Sequence, residues 1–231
     1  MNAQDSRQAH DESAADYDRL AREYHWFGAE ALFGLCFEYV QPGERLLAIG
    51  IGTGLCGFPF AKAGLQVFGL DASLEMLDVC RSKGFAADLR QFDLRAGPWP
   101  YPDRYFDHGM ACGVLHFLDD LTPIFQEAAR VIRVGGLFAF TTKVPPPEHG
   151  AETHSSNYST DVISGVTIFS HHRAYLEELM ASCGFETLKD LEMMVGVDRT
   201  ERRDLYLALV THKTNTRNWI IPPTARGSAA A

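Results

Sequence analysis

The sequence predicts an α/β domain: a mostly parallel sheet with helices on both faces and an antiparallel ending. Three observations predict it. Short apolar runs alternate with helix-length segments from residue 46 onward. The first run ends in a glycine-rich turn, Gly50-Ile51-Gly52-Thr53-Gly54. The last two runs, 186–195 and 205–212, are joined by a short polar link without a helix, which favours an antiparallel pair.

The elements follow in order. Residues 1–14 are polar and read as a frayed end. Residues 16–40 carry a helical pattern rich in aromatics (Tyr17, Tyr24, Trp26, Phe27, Phe33, Phe37, Tyr39), stopped by Gln41-Pro42-Gly43. The first strand is 46–49, followed by a short helical segment at 58–63. The second strand, 66–70, ends at Asp71, and a helix over 73–83 follows with Ser73 as N-cap and Gly84 as stop. The third strand lies within 86–92 and ends at Asp93; the fourth lies within 106–112. A helix at 123–132 has Pro123 in its first turn. Gly135-Gly136 then turns the chain into the fifth strand, 137–142. Residues 144–170 break the rhythm: Pro145-Pro146-Pro147 opens a polar stretch that reads as an irregular insertion, long enough to be functional. A helix at 174–183 is closed by Gly184. The tail beyond 213 reads as disordered.

Composition narrows the function classes. Net charge is -9 with an isoelectric point near 5.4, so an acidic surface argues against a nucleic-acid partner. The five cysteines are odd in number and show no CxxC spacing, which argues against a disulfide framework and against a zinc site. Scattered thiols, with no apolar run of signal or membrane-spanning length, fit a cytoplasmic protein with no membrane partner.

The chemistry-bearing residues sit at strand ends. In an open parallel sheet, ligands bind beyond the carboxyl ends of the strands, and glycines there let the backbone approach the ligand. Gly52-x-Gly54-x-x-Gly57 also matches the dinucleotide pattern, so a nicotinamide cofactor and S-adenosylmethionine both remain open at the loop. Asp71, at the end of the second strand, can accept from the ribose hydroxyls of either. Asp93-Leu94 separates them, offering an acceptor to an adenine amine and an apolar wall to its ring.

At this point the sequence resembles the class I S-adenosylmethionine-dependent methyltransferases, especially the type 11 small-molecule branch. The motifs are the residues 46–54, the stretch Gly69-Leu70-Asp71-Ala72-Ser73, Asp93-Leu94, Val114-Leu115-His116 and Arg130-Val131-Ile132-Arg133-Val134-Gly135-Gly136. The resemblance implies a Rossmann-like seven-stranded sheet whose last strand is antiparallel. It implies methyl transfer from S-adenosylmethionine to a small-molecule acceptor, with S-adenosylhomocysteine as product. It implies that Gly50 and Gly52 pass under the methionine portion and that Asp71 holds the ribose. Ala72 and Met76 would flank the adenine, Asp93 and Leu94 hold its edge, and Cys112 line the methionine side. An N-terminal helical lid over 1–40 would bring Tyr17 and Tyr24 over the site, leaving 41–213 as the methyltransferase domain. The sequence departs from the family at Ala48, where an acidic residue is usual. That departure motivates an alternative, a weakly active or inactive S-adenosylmethionine-binding protein.

A sulfonium donor needs alignment and a dry site more than an acid or base. A protonated acceptor gains from a base, and His116, in the turn after the fourth strand, is the candidate. His149, His154, His171 and His172 lie in or beside the 144–170 insertion; they lack the spacing of a metal site.

Overall fold

The computed structural model describes residues 11–145, 157–163, 165–196 and 203–215. Nine strands form in chain order: β1 (Arg45–Ile49), β2 (Gln66–Asp71), β3 (Asp88–Gln91), β4 (His108–Ala111), β5 (Leu137–Lys143), β6 (Tyr158–Ile163), β7 (Val166–His171), β8 (Phe185–Gly196) and β9 (Arg203–Lys213). Seven of them make one sheet in the order β3-β2-β1-β4-β5-β9-β8, and β6 pairs with β7 as a separate hairpin. The strands β1 to β5 pair in parallel, while β9 runs antiparallel to both β5 and β8. The expected Rossmann-like architecture is the observed one.

The central strands are buried almost throughout: every residue of β4 and β5 is buried. Strands covered on both faces read as continuous apolar runs, which is why these were easy to place in the sequence. Helices α1 (Tyr17–Glu23), α2 (Gly28–Cys36), α3 (Gly57–Lys62), α4 (Leu74–Ser82), α5 (Thr122–Val131) and α6 (Arg173–Ser182) cover the faces. Two cores result. One face packs Leu47, Ile49, Phe106, Phe125, Phe138 and Phe140. The other packs Leu46, Ala48, Val67 and Met110 against Leu32 and Cys36 of α2. The order of strands reverses between β1 and β4, which opens a crevice at their carboxyl ends.

The motif around Arg130 is structural. Its guanidinium donates to both Glu127 carboxylate oxygens (2.8 and 2.6 Å) and to the Tyr101 and Trp99 carbonyls (2.8 and 3.0 Å), pinning the segment before β4. Gly136 is required because a Cβ there would collide with the Asp107 carbonyl.

Two stretches differ from their sequence reading. The helical pattern over 16–40 breaks into α1 and α2, because His25 takes a left-handed φ of 54°. That turn lets Trp26 pack edge-on against Tyr206 at 5.1 Å. The 144–170 stretch is not irregular where it is described: β6 and β7 form a hairpin turning at Gly165, with φ of 82°. Polar residues on β6 hid it, since Ser159 and Thr160 are both exposed and break the apolar alternation. His149 and His154 lie outside the described residues, as does the tail from 216.

One buried histidine fastens this hairpin. On β7, His171 lies 3.0 Å from Thr142 Oγ1 through Nδ1 and 3.0 Å from the Leu118 carbonyl through Nε2. Burial pushes its pKa down to about 4, outweighing the neighbouring acceptors that raise it. A proton on His171 is therefore favoured in the unfolded chain between its ordinary value, about 6.5, and about 4. Stability from this group is complete above the upper value and lost as pH falls through that window. Replacing His171 with Gln should lower Tm at pH 7, and the gap between the two proteins should narrow steadily towards pH 4.5. Thermal melts across that range check it; a constant gap would remove His171 as the titrating fastener.

Candidate active site

The glycine turn after β1 shapes the crevice. Gly50, Gly52 and Gly54 all take positive φ (67°, 53° and 89°), a region costly to side-chain-bearing residues. At Gly52 a Cβ would meet nothing within 4 Å and would project into the cavity, so the backbone itself is the cavity floor. A group the size of a nucleoside carrying an amino-acid chain can rest directly on such a floor, and the bare Gly52 surface fits one.

Asp71, at the end of β2, holds this floor. Its carboxylate accepts from the Gly52 amide at 2.7 Å and from the Ser73 amide at 3.0 Å. Ser73 in turn caps α4 through the Met76 amide at 3.1 Å. The cavity is lined by Tyr17, Gly50, Gly52, Asp71, Ala72, Met76, Asp93, Leu94 and Cys112. These are the residues the sequence proposed for the cofactor, with one exception: Tyr24 lines a neighbouring cavity, as does His116. Asp93 is half exposed and ion-paired with Arg95 at 2.6 Å, which also borders the first cavity.

Sequence reasoning missed Trp26, Thr53, Cys56 and Phe117. Thr53 anchors the covering helix: Asp18 of α1 accepts from its hydroxyl at 2.5 Å and pairs with Lys83. No residue of α1 is fully buried, so these polar ties hold it over the site. Tyr17, reaching in from α1, has its phenol pKa raised by burial and then by Cys56, Cys112 and the Asp71 and Asp18 carboxylates. The Cys56 thiol is pushed up by its hydrogen bond with Cys112 and by burial. Both groups therefore form an uncharged wall.

Helix α2 behaves differently from α1. It sinks Leu32 and Cys36 into the core, within 1% exposure, and so is built into the domain. Ala48 is 1% exposed and belongs to the same cluster as Leu32, Cys36 and Met110. The position where the resemblance leads one to expect an acid is here filled by apolar packing.

The second cavity, of about 340 Å³, adjoins the first and shares Tyr17, Trp26 and Phe117 with it. Its remaining walls come from Ser13, Leu20, Ala21, Tyr24, His116, Ile163, Val166, Ile168, Val195, Asp204 and Tyr206. These residues come from α1, the turn after β4, the β6–β7 hairpin and the β8–β9 pair, so apart from Tyr24 and His116 no sequence motif could have announced them. Among the described residues there is no cluster of metal-ligating side chains.

Comparison with known proteins shows what this arrangement is similar to. Residues 47–140 match the family model described as Methyltransferase domain. The aklanonic acid methyltransferase DauC of Streptomyces sp. strain C5 is 36% identical over 143 residues, which cover 59% of this chain and 64% of that protein. A demethylmenaquinone methyltransferase of Tropheryma whipplei is 32% identical over 97 residues, covering 42% of this chain and 41% of that protein. The chain thus spans less than two thirds of these relatives. Among solved structures, a chain from the complex of the Haloferax volcanii Trm112 methyltransferase activator with a methyltransferase aligns with a TM-score of 0.72 at 18% identity, covering 92% of this chain and 99% of that one. The [4+2]-cyclase SpnF aligns with a TM-score of 0.61 at 19% identity, covering 80% of each. Residues 47–140 are thus similar to methyltransferase domains, and the fold is shared with solved S-adenosylmethionine-dependent methyltransferases. S-adenosylmethionine is the cofactor that this similarity implies.

Two substitutions probe the floor and its packing. Asp71→Ala should weaken S-adenosylhomocysteine binding by about tenfold or more, since a lost bond to a charged acceptor costs roughly 1.5–3 kcal/mol. Titration calorimetry reads it, and unchanged affinity would take Asp71 out of the site. Ala48→Asp would bury a carboxylate among Leu32, Cys36 and Met110. It should lower Tm and loosen cofactor binding together; tighter binding with an undiminished Tm would show that the alanine merely lacks an anchor.

Proposed function

We propose that this protein transfers a methyl group from S-adenosylmethionine to a small-molecule acceptor held in the second cavity. The observation that carries the reading is the meeting of the two cavities at Tyr17, Trp26 and Phe117. A donor on the glycine floor and an acceptor beside His116 would face each other across these three side chains. The names of the relatives, among them DauC and a 27-O-demethylrifamycin SV methyltransferase of Amycolatopsis mediterranei, support an acceptor of small-molecule size.

When bound, the cofactor supplies an electrophilic methyl on a sulfonium. The protein's own residues do the rest. Gly50 and Gly52 carry the methionine portion, Asp71 takes the ribose hydroxyls, and Ala72, Met76, Asp93 and Leu94 frame the adenine. Helix α1, with Tyr17 and Tyr24, is the lid, tied down through Asp18. The lid of this reading is the stretch before Trp26, because α2 is part of the core. A closed lid excludes water from a displacement that gains from dryness and alignment. His116 is 4.1 Å from the Phe117 ring and 5.5 Å from Tyr206, centroid to centroid, which fixes its plane at the cavity wall. In this reading it takes a proton from an acceptor hydroxyl.

Two measurements separate this reading from a binding protein without catalysis, the reading that Ala48 favours. Calorimetry should find binding of S-adenosylmethionine and S-adenosylhomocysteine and none of NAD. A metabolite extract should then release S-adenosylhomocysteine in the presence of wild type, and His116→Asn should slow that release by roughly 10²–10⁴-fold, the range of a lost general base. Binding without any release would leave only the non-catalytic reading; release unaffected by the substitution would leave His116 a wall residue.

A further inference from the structure

The wall of the second cavity holds a charged pair that the transfer chemistry above does not use. Asp204, at the start of β9, has a side chain only 9% exposed and lines the cavity. Its carboxylate pairs at 2.8 Å with Lys143 at the end of β5, whose side chain is 6% exposed. Lys143 does not border the cavity; it stands behind Asp204. Among the described lining residues there is no Lys or Arg. The other polar groups are His116, the hydroxyl of Ser13 and the phenols of Tyr17, Tyr24 and Tyr206. The Tyr206 phenol is pushed up by burial and by the Asp204 charge beside it.

Burying two ions is expensive, and an apolar pair of similar size would often serve the fold as well. A buried pair retained at a cavity wall, with only its anionic member lining the cavity, presents charged hydrogen-bond acceptors among neutral polar and apolar side chains. A ligand that brings its own negative charge would lose its hydration there and meet a carboxylate in exchange. A ligand that brings a hydroxyl donor would gain a charge-assisted bond, shorter and stronger than a neutral one. The rest of the wall sets the shape. Trp26 and His116 both stand edge-on to Tyr206, at 5.1 and 5.5 Å, and Leu20, Ile163, Val166, Ile168 and Val195 supply an apolar surround. Such a surface suits a flat apolar body.

We propose that Asp204, backed by Lys143, selects the acceptor: an uncharged, planar, hydroxyl-bearing molecule whose donor group bonds the Asp204 carboxylate, and not a carboxylate-bearing one. The inference rests on the second cavity being the acceptor site. Asp204 acts here as a specificity-determining residue. Lys143 is the positioning residue that keeps the Asp204 carboxylate in place.

The test uses two probes that differ only in their polar group, 2-naphthol and 2-naphthoate, titrated into the full chain saturated with S-adenosylhomocysteine at pH 7. Product binding is measured first on the same preparation. Its failure would sink the transferase reading itself and this proposal with it, whereas success followed by wrong discrimination sinks this proposal alone. Wild type should bind the naphthol at least about tenfold more tightly than the naphthoate. Asp204→Asn removes the anion and leaves the Lys143 charge uncompensated, so the preference should reverse in favour of the naphthoate. If that variant does not fold by circular dichroism, the double change Asp204→Asn with Lys143→Met removes both charges, and the preference should collapse to within about threefold. Equal binding of the two probes by wild type, no binding of either, or a preference that survives loss of Asp204 would each overturn the proposal.

Discussion

The carboxylate of Asp71 stands where three local structures have to agree. It takes the Gly52 amide from the loop after β1 and the Ser73 amide from the turn after β2. Ser73 then caps α4. A backbone with three left-handed glycines has little intrinsic preference for one path, and a buried-side acceptor fixes it at low cost. Through Thr53 the same loop receives Asp18 of α1, so the covering helix is positioned by a floor that Asp71 has already set. The floor, the adjoining helix and the placing of α1 are thus successive consequences of one strand-end acid.

The second cavity depends on that chain of contacts but is made of other material. Its aromatic wall is held by the break after α1, where His25 turns left-handed and drops Trp26 onto Tyr206. Its far side is the β6–β7 hairpin, fastened through His171 to Thr142 and Leu118. Elements held by a few polar ties over an apolar space are the ones able to open without disturbing the sheet. The sheet itself is insulated from such movement, since β4 and β5 are wholly buried.

Ala48 shows how a family position can change its meaning. In the sequence it is a missing acid beside the glycine loop. In the structure its methyl group belongs to the apolar layer under α2, with Leu32, Cys36 and Met110. The uncharged thiol of Cys56 lines the neighbouring wall beside Cys112. The surroundings have closed around a small apolar side chain, so the loop is held here by Asp71 rather than by a second carboxylate.

The parallel strands, the glycine loop, Asp71 and Asp93 were legible in the sequence because each depends on local pattern: apolar runs buried on both faces, glycines at positive φ, acids at strand ends. The antiparallel ending was legible from the shortness of its link. The break at His25 was not, because only the docking of Trp26 on Tyr206, far along the chain, rewards a left-handed residue in a helical pattern. The β6–β7 hairpin was hidden for a like reason, its polar strand being stabilised by a partner and a buried histidine and not by its own alternation. Tyr24 and His116 were expected at the site from sequence, but which cavity each lines was decided by packing. Sequence alone determined where a nucleotide-like cofactor could rest, since that floor is one short stretch of chain. Only the tertiary structure assembled the neighbouring cavity, because its walls and its Asp204–Lys143 pair come from segments that meet nowhere but in the fold.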